Sequence, residues 1–147
     1  MNILNKNNII LIFLFALHLF LRTYKLVQIP YGFHRDEAYT GYNSYSILKT
    51  GKDEWGDKLP LFSRSFGDYP PTIVLYATMP FIYIFGLNEW GVRLSTVFFS
   101  FLNLALTYKI LINLKFKNKL IYLMLFILSL SPWELTQVRG ANGDLIL

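Results

Sequence analysis

LSTVFFSFLNLALTYKILINLKFKNK, residues 94–119, decides how this chain folds. From Leu94 to Leu114 the stretch is apolar, with Asn103 inside it and Lys109 near one end. That is the ~20 residues a helix needs to cross the hydrocarbon core of a bilayer. Lys109, Lys115, Lys117 and Lys119 then follow with no acid among them. Outward from this stretch, Asn8 to Leu21 is apolar except for His18, with Lys6 before it and Arg22, Tyr24 and Lys25 after it. Extended to residue 27, it is a second span with long basic side chains snorkelling at its end. No small-x-small cleavage site follows, so an uncleaved anchor is expected rather than a signal peptide. Leu120 to Trp133 is a third, shorter apolar run. Residues 71–86 are shorter for a crossing, follow Pro70-Pro71 and contain Pro80, which suits a helix lying in the interface.

Composition points the same way. The 147 residues are 54% hydrophobic and 18% aromatic, and only 16% charged, against about a quarter in soluble domains. That aromatic content excludes intrinsic disorder, and the absence of Cys excludes a disulfide scaffold or thiolate metal site. The net charge of +5 resides in Lys6 and the four lysines at 109–119, because the remaining charges cancel. Residues 22–93 hold eight bases and seven acids, and Arg139 stands against Glu134 and Asp144. The positive-inside rule places Lys6 and the lysine loop on the cytoplasmic side. The chain must then cross twice between them, so residues 71–86 are not a crossing. A basic patch facing anionic lipid needs no nucleic acid to explain it.

Residues 28–93 then form a long outer loop, where function is expected. Ala38, Tyr42, Tyr45 and Leu48 recur at near-helical spacing, with Asp36 as N-cap and Gly51 as the stop of a surface helix over 36–49. Asp53, Glu54 and Asp57 alternate with Lys52 and Lys58 and read as a solvated turn. Asp68 marks the start of the second surface helix. Taken singly, each residue has a plain structural reading: Asp36 as a cap, Asp68 as a turn residue, His18 as a packed side chain. His34 with Asp36 and Glu37 is a weak match to any metal-ligand pattern. Tyr24, Tyr31, Trp55, Trp90 and Trp133 fit interfacial belts.

In chain order the blocks form a pattern. After the apolar first helix come Phe33-His34-Arg35-Asp36-Glu37-Ala38 and Thr50-Gly51-Lys52-Asp53-Glu54-Trp55-Gly56. Then come Leu59-Pro60-Leu61, Ser65-Phe66-Gly67-Asp68-Tyr69-Pro70-Pro71 and Phe85-Gly86-Leu87-Asn88-Glu89. Val92-Arg93-Leu94-Ser95 and Ser129-Leu130-Ser131-Pro132-Trp133 follow, with Arg139 close behind. The order closely resembles the N-terminal part of bacterial GT-C membrane glycosyltransferases. The nearest group is family 39, of protein O-mannosyltransferases and aminoarabinose transferases.

The resemblance implies a polyprenyl-phosphate-sugar donor, transfer on the outer face to a lipid, glycan or protein acceptor, and inversion at the anomeric carbon. It puts the family's outer-loop acidic residue on Asp36, as general base or acceptor-orienting group, accompanied by Glu37 as a catalytic residue, with Asp68 as a second acidic position serving the acceptor or a metal. A carboxylate within hydrogen-bond reach orients and deprotonates an attacking hydroxyl or amine. The leaving phosphate needs cations, helix dipoles or a divalent metal. Aminoarabinose transferases carry a basic residue shortly after the acidic pair, where this chain has Ala38-Tyr39. They also carry Lys before the proline of the second block, where Tyr69 stands here. Arg35, Lys52 and Arg139 are the substitutes. A lipid carrier also explains why no nucleotide-binding glycine motif is present.

The expected molecule is an all-α membrane protein of GT-C type. It has spans near 8–27, 94–114 and 120–133, surface helices near 36–49 and 71–86, and a further helix starting at the C-terminus. It sits in a bacterial inner membrane with a cytoplasmic N-terminus and an outer first loop. Such enzymes run to several hundred residues, so the chain reads as an enzyme's N-terminal portion. The alternatives are a non-catalytic subunit, a truncated or decayed product, and a transporter fragment. Transport would place acids in a midplane cavity, whereas Asp36, Glu37 and Asp68 lie in the outer loop.

Overall fold

A computed structural model describes residues 6–65, 69 and 72–140. Six helices follow in order: α1 (Lys6–Thr23), α2 (Arg35–Thr50), α3 (Ile73–Phe85), α4 (Glu89–Asn113), α5 (Asn118–Leu130) and α6 (Pro132–Arg139). The expected all-α architecture is observed, with no strand among the described residues. α4 is long and apolar enough to cross a membrane, and α5 with α6 meets the same test as one bent pair. The apolar stretches of α1 and α3 are shorter. Helix α1 ends at Thr23, and the residues to 31 continue as turns.

Helix boundaries follow local chemistry. The Asn88 side chain accepts a hydrogen bond from Gly91 N–H at 3.0 Å and caps α4. Gly51 ends α2 in the left-handed conformation (φ 71°), with its N–H on Ile47 O. Pro132 opens α6, and the chain bends by 49° between α5 and α6. Asp36 is not the N-cap of α2. His34 occupies that position, and its N–H is held by Glu37 Oε2 at 2.8 Å.

Leu14, Leu104, Leu111, Ile121 and Leu125 join α1, α4 and α5 in the main apolar cluster. Leu26, Val97 and Val138 form a second, between the turn after α1, α4 and α6. Ile82 and Val92, with Leu48 against them, join α2, α3 and α4. Helix α2 packs through a small and polar face that includes Thr40, Gly41, Asn43 and Ser44, while Tyr42 and Tyr45 point outward. Gly41 permits this approach, since a Cβ there would stand 2.8 Å from a methyl of Val92.

Beside these apolar clusters, the described residues bury strongly polar groups and expose many large apolar ones. Ile12, Phe13, Ile110 and Ile127 are exposed, whereas His18, Arg22, Arg93 and Ser129 are fully buried. Buried charged side chains and extensive exposed apolar surface are both uncommon in soluble proteins; lipid surroundings remove the penalty on exposed apolar surface, and charged groups there face the interior. Arg22 therefore does not snorkel outward as its place at the end of α1 suggested. In the 51–58 turn Lys52, Glu54, Asp57 and Lys58 are exposed as expected, and Asp53 alone departs. Asp53 is buried, accepting from the N–H of Trp55 and Asp57 at 3.0 Å each and from the Ser63 hydroxyl at 3.0 Å.

Candidate functional site

Asp36 stands in the first turn of α2, near the positive end of the helix dipole. Its side chain is 56% exposed, 3.5 Å from His34 Nδ1 and 3.6 Å from Arg35 Nε. His34, Arg35 and Asp36 thus present three polar groups outward at the start of one helix. Close pairing with these groups still leaves the carboxylate accessible to a reactant.

Glu37, the next residue, points the other way and is fully buried. Its carboxylate takes a bidentate pair from Arg93 of α4, with Nε to Oε1 at 2.7 Å and Nη2 to Oε2 at 3.0 Å. Arg93 spends its other donors on the turn between α1 and α2. It reaches Leu26 O at 2.7 Å, Pro30 O at 3.0 Å and Gly32 O at 2.6 Å. A guanidinium has five N–H donors, and here all are used. Fully paired in this way, the buried charges are compensated, and one side chain ties α4, the inter-helix turn and the first turn of α2 together.

The remaining sequence candidates are dispersed. Lys52 lies two residues beyond the C-terminus of α2, with about 24 Å of helix between it and Asp36. Arg139 comes to the same turn as Arg93 and donates to Leu21 O, Lys25 O and Ile29 O at 2.8–3.2 Å. Four of its N–H groups are thus engaged with backbone carbonyls. Asp68 lies outside the described residues. Among those described, no group of three or more His, Asp or Glu side chains is placed to hold a metal ion. Glu37, committed to Arg93, does not converge with His34 and Asp36.

Sequence reasoning missed Arg93, Arg22 and Glu134 as site-building residues. Each pairs with a side chain far away along the chain. The one available signal was the presence of Arg93 in the Val92-Arg93-Leu94-Ser95 block, immediately before an apolar span. Tyr39, one turn beyond Asp36, is a further addition. Its hydroxyl is buried, and burial pushes its phenol above the usual range, with Ser63 acting against the shift.

The family described as dolichyl-phosphate-mannose-protein mannosyltransferase has a profile that matches residues 12–147. No curated protein and no solved structure matches the chain.

Proposed function

Since this chain belongs to the dolichyl-phosphate-mannose-protein mannosyltransferase family, a family of membrane-bound glycosyltransferases, we propose that it moves a sugar from a polyprenyl-phosphate carrier to an acceptor on the outer face of a bacterial inner membrane. The observation that carries this reading is the split between neighbours at the start of α2. Asp36 is exposed and accessible, while Glu37 beside it is fully buried in the Arg93 pair.

Asp36 is the general base. It accepts the proton of the acceptor hydroxyl or amine as that atom attacks the anomeric carbon. The new bond forms on one face of the sugar and the bond to the phosphate oxygen breaks on the other. The configuration therefore inverts, and the polyprenyl phosphate departs with the bonding electrons. Glu37 and Arg93 are positioning residues that hold the first turn of α2 in place. Arg35, exposed beside Asp36, supplies positive charge toward the departing phosphate. Lys52 and Asp68 belong to the same outer loop, and we assign Lys52 to the phosphate and Asp68 to acceptor or metal contacts. Three spans, a cytoplasmic N-terminus and an outer loop over 28–93 complete the reading, supported by the lysine distribution.

Asp36→Asn tests the base directly. Transfer should fall by about 10²–10⁴-fold while binding of the lipid-linked donor is retained. Unchanged turnover would remove Asp36 from the mechanism.

A further inference from the structure

Deep between the helices, five side chains from four helices meet: His18 and Arg22 of α1, Ser100 of α4, Ser129 of α5 and Glu134 of α6. Arg22 Nη2 lies 3.0 Å from Glu134 Oε2, an ion pair outside hydrogen-bond geometry. The Ser100 hydroxyl is the hub. It accepts from Arg22 Nε at 2.7 Å, donates to Glu134 Oε1 at 2.8 Å and meets His18 Nε2 at 3.0 Å. With its one proton given to Glu134, Ser100 can only accept from His18, which assigns the Nε2–H tautomer. The Ser129 hydroxyl gives its proton to Leu125 O at 2.7 Å and lies 3.3 Å from His18 Nδ1.

This node grips both sides of the α5–α6 bend. Arg22 Nη1 donates to Ser129 O at 3.2 Å, a carbonyl that an unbroken helix would pair with the N–H of residue 133. Its ion pair with Glu134 holds the first turn of α6. On α4, Arg93, Thr96 and Ser100 recur at helical spacing as one polar ladder. Ser100 joins the node, Thr96 donates to Val138 O at 2.8 Å, and Arg93 holds the turn before Asp36. Arg139, at the end of α6, closes the ladder by donating to Leu21 O in the last turn of α1 and to Lys25 and Ile29 carbonyls in the turn that follows. Buried ion pairs are retained in some proteins for the arrangement they specify rather than for stability.

We propose that Arg22, Glu134 and Arg139 are positioning residues for transfer. The node fixes where α6 lies, and Arg139 on α6 fixes the turn that presents Asp36. This rests on the reading of Asp36 as the base.

The test uses a spin label at Tyr31→Cys, on a turn residue that is 98% exposed in a chain with no Cys of its own. The label reports the turn whether or not transfer is measurable. In the membrane-embedded protein, Arg139→Ala and Glu134→Gln should each raise label mobility. Each should lower kcat per folded molecule about 10- to 100-fold, with KM little changed, as misplacement of a reacting group does. The double variant should be no worse than Arg139→Ala alone, because both act through one contact. Arg139→Lys, which keeps the charge without the planar fork, should lie between wild type and Ala; this series carries the test if Glu134→Gln does not fold. Unchanged mobility in Arg139→Ala would overturn the proposal. So would raised mobility with unchanged kcat. If Asp36→Asn leaves transfer intact while mobility still rises, it is the base assignment that fails.

Discussion

Asp36 and Glu37 carry the same functional group one residue apart, and the helix separates their roles. Successive residues on an α-helix point about 100° apart, so when Glu37 faces α4, Asp36 faces outward. Arg93 then pins Glu37, and the N–H of His34 closes the turn on the same carboxylate. Removing one partner leaves a buried charge uncompensated. Glu37→Ala or Arg93→Ala should therefore cost about 3–5 kcal/mol, read as a lowered thermal inactivation temperature in detergent. Asp36→Asn, at an exposed position, should leave that temperature unchanged. Equal losses at both positions would contradict the division of roles. The sequence made Asp36 legible as an acid at a helix start. It did not reveal that Glu37 turns inward, because its partner lies 56 residues away.

The helices themselves were more legible than their faces. Gly51 stops α2 as its position implied, and Pro132 opens α6 just after a bend. The protein-facing side of α2 was not legible, because apolar periodicity marks the opposite face. Here the small residues and Asn43 pack inward, and the tyrosines remain outside. Close packing at two glycines gives a further expectation. A Cβ on Gly91 would run into the backbone carbonyl of Gly86, which cannot move aside as a side chain can. Gly91→Ala should destabilise by about 1–3 kcal/mol. Gly41→Ala, which meets only side-chain atoms of Val92 and Leu87, should cost less. Thermal unfolding of the two variants side by side measures the difference. A Gly91→Ala protein as stable as wild type would mean that α4 starts elsewhere.

At the scale of the molecule, the apolar runs made the helical architecture and its apolar surface readable. The buried polar node was not readable, since Arg22 and Glu134 look like ordinary end-of-helix charges until the bundle brings them together. The absence of Cys makes topology directly measurable. Single Cys residues replacing Tyr31 and Lys117 should react with an impermeant thiol reagent from opposite sides of the membrane. Labelling from one side would reverse the charge-based assignment. The most direct test of the whole reading is the donor itself. Membranes containing the protein should transfer labelled sugar from a polyprenyl-phosphate sugar to acceptor, and the same sugar on a nucleotide should yield nothing once endogenous carrier is removed. Transfer from the nucleotide sugar alone, with the lipid-linked sugar inert, would contradict it.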